Sequence, residues 1–285
     1  MLTRISESTS VLLAPNAGPM TLEGTNTYVI AAPGSPRVVV VDPGPDDRDH
    51  VDRLASIGPI ELVLITHRHD DHTGAIDAVV ARTGAPVRAI DPAHCRGAAP
   101  LVAGETIEAA GHRIRVLPTP GHTVDSTSFH LPDDGPHGSV LTGDTILGRG
   151  TPILSEEDGA LAPYVRSLWA LRVLGPATVL PGHGPALPDL VAVCDAYLHH
   201  RAESLRAFTS SLARLELPGL PPDGGSVPAD ESTVSSVTDA LYAGVNRRMR
   251  VIAETHVRTH LEYLAAQDLT TSVAASPSST ASPGR

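Results

Sequence analysis

The chain has 285 residues, of which 41% are hydrophobic and only 3% aromatic, so its core must be built mainly from Ala, Val, Leu and Ile. That length supports one or two packed domains. The formal net charge is -11 and the sequence contains no lysine, every basic side chain being arginine, which argues against a broad surface for nucleic-acid phosphates, although two divalent cations would still place four positive charges in one local cleft.

The opening segment, MLTRISESTSVLLAP, has no basic start, no long apolar run and no small-residue cleavage pattern, so no secretory signal is expected. No later stretch approaches the ~20 apolar residues of a membrane span. The expectation is a soluble cytoplasmic chain with no membrane partner. Residues 37–42 form a β-branched run that stops at Pro43-Gly44, as a buried strand does. A helix through His50, Val51, Leu54 and Ala55 ends near Gly58-Pro59. A strand at 60–66 runs into Thr66-His67-Arg68-His69-Asp70-Asp71-His72, followed by a helix at 74–81 and a strand at 86–90.

From Glu105 the pattern changes to short strands at 106–109, 113–117, 126–131 and 139–142, separated by Gly, Pro and Asp turns. A helix at 161–174 and a strand at 177–180 complete this part. Strands in two groups with interleaved helices indicate an αββα sandwich. Beyond Gly184 the chain is helical at 190–215, 233–242 and 247–267, with a Pro/Gly-rich loop at 217–230. The last residues, 270–285, cannot bury enough apolar surface to offset their ordering entropy and are expected to be disordered. Cys95 and Cys194 lie far apart and form no CxxC pattern, which reads as two inert thiols.

The chemistry concentrates in four places. His67 and His69 stand at i, i+2 on an extended strand end, so both rings face one side, and Asp71 and His72 follow where the chain can bend back. Pro120-Gly121-His122, Gly143-Asp144 and Pro181-Gly182-His183-Gly184 each offer one metal-capable side chain at a strand end beside glycine. Taken singly, each of the latter three could equally be a turn histidine or a capping aspartate. Their ordered co-occurrence carries the argument. Imidazole and carboxylate suit zinc and related borderline metals. His94, His112, His130, His137, His199 and His200 are scattered and need no such role. His256 and His260 stand at i, i+4 on a helix, but no partner pattern completes a site, so a surface or packing role is the plainer reading.

The order HxHxDH, GH, GD and GHG resembles the metallo-β-lactamase superfamily over about residues 12–190. By that resemblance His67, His69 and His122 hold one divalent ion, Asp71, His72 and His183 hold a second, and Asp144 bridges them. Zn2+ is the first expectation, with Mn2+ or Fe2+ as alternatives. Two such ions ~3.5–4 Å apart share a hydroxide that attacks the substrate, so the catalytic residues would be Asp144 and Asp71, the latter also orienting the nucleophile. Three further segments, Met20 to Tyr28, Gly143 to Gly148 and Leu180 to Pro185, are similar to the β-lactamase-like protein 2 family. In that family a catalytic domain, here 1–190, precedes a small winged-helix domain, here 191–269.

The resemblance implies an endoribonuclease acting on single-stranded RNA, with Arg149, Arg247 and Arg250 as candidate substrate contacts. Against it, residues 196–270 carry seven Arg and nine Asp plus Glu, so these arginines can equally pair with neighbouring carboxylates. Nor do aromatics interleave them for base stacking. The alternative is a small-molecule thioester hydrolase of the glyoxalase II kind, which uses the same centre. Lactam hydrolysis is less favoured, because secreted metallo-β-lactamases lack a residue like Asp144. A non-catalytic nucleic-acid-binding module is disfavoured by the complete ligand set.

Overall fold

A computed structural model describes residues 1–154, 159–215 and 229–274. The chain divides into two compact units, Met1–His200 and Arg201–Arg285. The first contains two sheets. One has six strands in chain order: β1 (Leu2–Arg4), β2 (Thr9–Leu13), β3 (Asn26–Ile30), β4 (Val38–Val41), β5 (Ile60–Leu64) and β6 (Val87–Arg88). The other has five, in the order β11-β10-β9-β8-β7: β7 (Thr106–Ala109), β8 (His112–Pro118), β9 (Thr127–Leu131), β10 (Ser139–Gly143) and β11 (Thr178–Pro181). β4 pairs parallel with β5, and β10 parallel with β11. The strands expected at the sequence level are all present, within a few residues at their ends. β1, β2 and β3 were not anticipated.

The β4 valines show how the sandwich is assembled. All four are buried, and successive side chains alternate faces. Val39 and Val41 join Tyr28, Leu64, Phe129 and Leu141 between the two sheets. Val38 and Val40 face the other way, into a layer with Val51 and Leu54 of α1 (Arg48–Ile57) and Ile76 and Val79 of α3 (Ile76–Thr83). A strand buried on both faces has no reason to alternate polar and apolar, which is why it reads as a continuous run. At the usual ~25 cal/mol per Å² of apolar surface, burying each such valine stabilises the sandwich by about 1.5–2 kcal/mol. The helix expected at 74–81 is displaced. A single turn, α2 (Asp70–Thr73), comes first, and α3 starts only after Gly74 and Ala75. Gly74 sits against the α1 approach, where a Cβ would lie 2.7 Å from Asp70 O and 3.1 Å from Asp46 N.

α4 (Leu161–Arg172) buries Tyr164, Leu168 and Leu171. α5 (Leu190–Leu212) crosses from the first unit into the second. In the second unit the end of α5 is joined by α6 (Glu231–Leu241) and α7 (Arg247–Ala274), with a core of Phe208, Leu212, Val234, Val237, Val257 and Leu261. α7 runs seven residues beyond the expected 267, so the first part of the supposed disordered tail is helical; residues 275–285 lie outside the described set. Most of the loop expected at 217–230 also lies outside it. His256 and His260 are packing residues of this unit, with ring centroids 4.0 Å apart and His260 against Phe208 at 5.0 Å. His260 Nδ1 donates to His256 O, leaving Nε2 to accept from Ser204 Oγ, while Tyr242 OH donates to His256 Nδ1. Both rings are held neutral by burial, His260 with its pKa pushed down to about 4. Among the described helices none is long and apolar enough to cross a membrane.

Candidate metal centre

The parallel pairing of β4 and β5 brings two strand ends side by side, and the site grows from them. Asp42 N donates to Leu64 O at 2.9 Å, just where β4 stops. Asp42 is left-handed (φ 54), a costly conformation for a residue with a Cβ. That conformation aims its buried carboxylate across to the β5 exit. There Oδ1 accepts from Thr66 N at 2.8 Å, and Oδ2 accepts from Thr66 Oγ1 at 2.7 Å and from His72 Nδ1 at 2.8 Å. His67 and His69 follow β5 in extended chain, and α2 turns Asp71 and His72 back over them. On the second sheet His122 lies between β8 and β9, Asp144 just after β10, and His183 just after β11.

All seven side chains converge. His69 Nδ1 is 3.1 Å from both His67 Nε2 and His122 Nε2. His183 Nε2 is 3.3 Å from His72 Nε2, 3.1 Å from Asp71 Oδ2 and 3.3 Å from Asp144 Oδ2. Three overlapping triads have their ligand atoms within 4.8 Å of one another: His67, His69, His122; His67, His72, Asp144; and Asp71, His72, His183.

The proton order shows that this set fits cations. His122 Nδ1 faces Ile153 O at 3.1 Å and His183 Nδ1 faces Gly24 O at 3.2 Å. A carbonyl only accepts, so both Nδ1 atoms carry the proton. Thr66 gives its hydroxyl proton to Asp42, so at 3.0 Å its oxygen accepts from His67 Nδ1. His72 Nδ1 donates to Asp42. In the neutral rings four Nε2 lone pairs therefore point into the site, and Asp144 Oδ1 is buried without any hydrogen-bond partner. Lone pairs crowded in this way, with the opposite nitrogen of each ring tied to an outer acceptor, form the arrangement that metal ligands require.

In the bare cluster the carboxylates draw protons onto two of these rings, His72 and His183, the positive charge that a cation would supply. Burial and the surrounding histidines hold the His67 pKa far down. Burial opposes protonation of His72 as well, but Asp42, Asp144 and Asp71 outweigh it and raise its pKa. Burial likewise works against His183, yet its bonds to Asp144 and Asp71 lift it to about 10. Asp71 and Asp144 both stay ionised in spite of burial, Asp71 mainly through His183 and Asp144 mainly through His72.

Asp42 was missed at the sequence level, where it reads as the end of a strand before Pro-Gly. Removing its charge while keeping its shape, Asp42→Asn, is expected to lower metal affinity by ~10–100-fold, measured by competition with a chromophoric chelator. Wild-type affinity would show that His72 is oriented without it.

Of the arginines proposed for substrate, Arg149 lines a cavity of about 230 Å3 together with His122 and Asp144, its guanidinium paired with Glu23. The other two lie in the second unit. Arg250 is engaged by Asp239, by Glu254 at 2.8 Å and by Ser235 at 3.1 Å. Arg250 is thus paired with carboxylates, the alternative that the charge balance of this segment left open. Arg247 is exposed at the start of α7.

The metallo-beta-lactamase superfamily model matches residues 20–183, more than half of the chain and the whole of the metal centre. The chain belongs to the metallo-β-lactamase superfamily. Members of this superfamily are typically metal-dependent hydrolases that bind two metal ions, and this chain is an enzyme of that class. It is 28% identical to a beta-lactamase-like protein 2 homolog of Caenorhabditis elegans, over 92% of this chain and 85% of that one. It is 32% identical to the lactamase-like protein vrtG of Penicillium aethiopicum, over 76% of this chain and 70% of that one. Its fold is similar to that of a beta-lactamase domain protein from Burkholderia ambifaria, with a TM-score of 0.72 at 17% identity, covering 93% and 89% of the two chains.

Proposed function

We propose that this metallo-β-lactamase-fold hydrolase acts on a small thioester held in the cavity beside His122 and Asp144. The observation that carries the reading is the wall of that cavity. Pro19, Met20, Leu22, Leu147 and Ile153 give it an apolar lining, suited to an acyl chain. Among the described residues that line it there is no Phe, Tyr or Trp on which a nucleobase could stack. A substrate reaching past the rim presents its carbonyl to His122 and Asp144.

Divalent ions, which we infer to be Zn2+ from the imidazole and carboxylate donors, supply water activation and Lewis-acid polarisation when bound by the seven ligands. The chain's own groups do the rest. Asp42 and the Gly24 and Ile153 carbonyls fix ring orientation, so no reorganisation is needed during reaction. Asp71 remains ionised next to His183 and is placed to take the proton of an attacking water. The apolar wall excludes competing water from the acyl group.

A second reading, cleavage of single-stranded RNA, is supported by similarity to a beta-lactamase-like protein 2 homolog along 92% of the chain. It would use a winged-helix-like second unit with Arg247 toward the strand. One preparation of known metal content, assayed on S-lactoylglutathione, fluorescent single-stranded RNA and a chromogenic lactam, decides between them. Turnover of the thioester, abolished by chelation, with RNA left intact is the expected result. Cleavage of RNA alone overturns it in favour of the second reading.

A further inference from the structure

We propose that Arg149 anchors an anionic group of the substrate, a carboxylate or a phosphate, and that Glu23 occupies the guanidinium as an internal competitor until that group arrives. The inference rests on the thioesterase reading above and adds a charge to the substrate's non-reacting end.

Arg149 and Glu23 meet across the two loops that wall the cavity, one contributing Met20 and Leu22, the other Leu147 and Ile153. Both loops are anchored tightly. Beside Arg149, Gly148 N donates to His183 O at 2.8 Å, and a Cβ at Gly148 would lie 2.5 Å from Pro185 N and O. The Tyr197 hydroxyl accepts from Leu147 N at 3.1 Å and donates to Gly150 O at 2.7 Å. Beside Glu23, Leu22 is left-handed (φ 53), and Gly24 is wedged so close that a Cβ would come 2.2 Å from Ala14 O. The Gly24 carbonyl accepts from His183 Nδ1. Each member of the ion pair is therefore one residue away from backbone that touches the metal-ligand candidate His183.

Fold stability does not explain that anchoring. The side chains of the pair are 54% and 49% exposed, and an ion pair so open to water contributes little to stability. A guanidinium does offer a planar fork matched to carboxylate or phosphate oxygens. An arriving anion exchanges one oxyanion partner for another, so Arg149 is paired in both states. With Pro19, Met20, Leu22, Leu147, Pro152 and Ile153 forming most of the wall away from His122 and Asp144, the substrate that satisfies the cavity has an apolar body and one anionic end.

The test uses the zinc-loaded full-length protein and two thioesters alike at the reacting bond, one ending in a carboxylate and the other in a neutral amide. Wild type is expected to prefer the charged substrate by about tenfold in kcat/KM, through KM. Arg149→Gln should bring the ratio near one, and Glu23→Gln should raise it by lowering KM for the charged substrate. A ratio unchanged by Arg149→Gln overturns the anchor, and a ratio unchanged by Glu23→Gln overturns the competitor. Calorimetric titration with succinate and with inorganic phosphate reads the same contact without turnover. Weakening of either by Arg149→Gln supports the anchor and names the anion, while equal affinities in both proteins overturn it even if no thioester is hydrolysed.

Discussion

Asp144→Ala is expected to lower kcat/KM by ~10^3-fold or more, equivalent to about 4 kcal/mol of transition-state stabilisation, while leaving the fold intact. Asp144 is the one ligand candidate whose carboxylate faces both histidine sets, with Oδ2 3.3 Å from His183 Nε2 and 3.7 Å from His122 Nε2 and Oδ1 3.5 Å from His72 Nε2. Its Oδ1 is buried with no hydrogen-bond donor. A buried acceptor left unpaired costs stability, so its retention answers to the metal centre and not to the sandwich. Circular dichroism should match wild type, elemental analysis should show less than two metal equivalents, and steady-state kinetics should show the loss. Wild-type turnover from the folded Ala variant would remove Asp144 from the machinery.

Gly182→Ala should be almost as damaging, although it removes no ligand. Gly182 does not have a positive φ, so an alanine there meets no backbone penalty. Its Cβ, however, would stand 2.4 Å from Asp144 Oδ1 and 2.8 Å from His72 Cε1. The backbone cannot retreat, because Gly182 N donates to Gly143 O and Gly182 O accepts from Asn26 N, both at 2.8 Å. The methyl group must therefore push ligands apart. Overpacking of this kind costs ~1–3 kcal/mol, and a displacement of the order of 1 Å at a reacting centre can cost ~10²-fold in rate. The expected outcome is loss of about one metal equivalent and a fall of ~10²-fold or more in kcat/KM. An alanine variant with two metals and normal rates would mean that the strand ends yield more than their hydrogen bonds suggest.

The candidate ligands stood out in the sequence because His67, His69, His122, Asp144 and His183 follow strands, beside an extended stretch or a glycine, and Asp71 and His72 come in the turn directly after. The β4 strand announced itself through unbroken β-branched residues. Asp42 could not be read in the same way. Its role depends on β4 and β5 being parallel neighbours, which sets Asp42 beside Thr66 and His72 although they lie 24 and 30 residues away along the chain. Nothing local distinguishes it from an ordinary Asp before Pro-Gly. β3 was hidden for a related reason. Asn26 and Thr27 are polar yet buried, because Asn26 Nδ2 donates to Pro181 O and Gly184 O and Thr27 pairs with His50. Those partners come from distant segments. The C-terminal arginines left two roles open in the sequence, phosphate contact or pairing with carboxylates. A cationic helix face looks available in one dimension, but α6 brings Asp239 against Arg250 and Glu231 against Arg258.

The inward ring nitrogens also bear on how the sandwich holds together. Four of the seven donors hang from the end of β5 in the first sheet, and the other three from the ends of β8, β10 and β11 in the second. Filling the centre therefore ties one layer to the other like a rivet, and stripping it leaves the ion pairs of His183 with Asp71 and of His72 with Asp144 to bridge the layers. Each tenfold rise in free cation above the dissociation constant should add about 1.4 kcal/mol of resistance to unfolding, so the melting point of the first unit becomes a gauge of its loading.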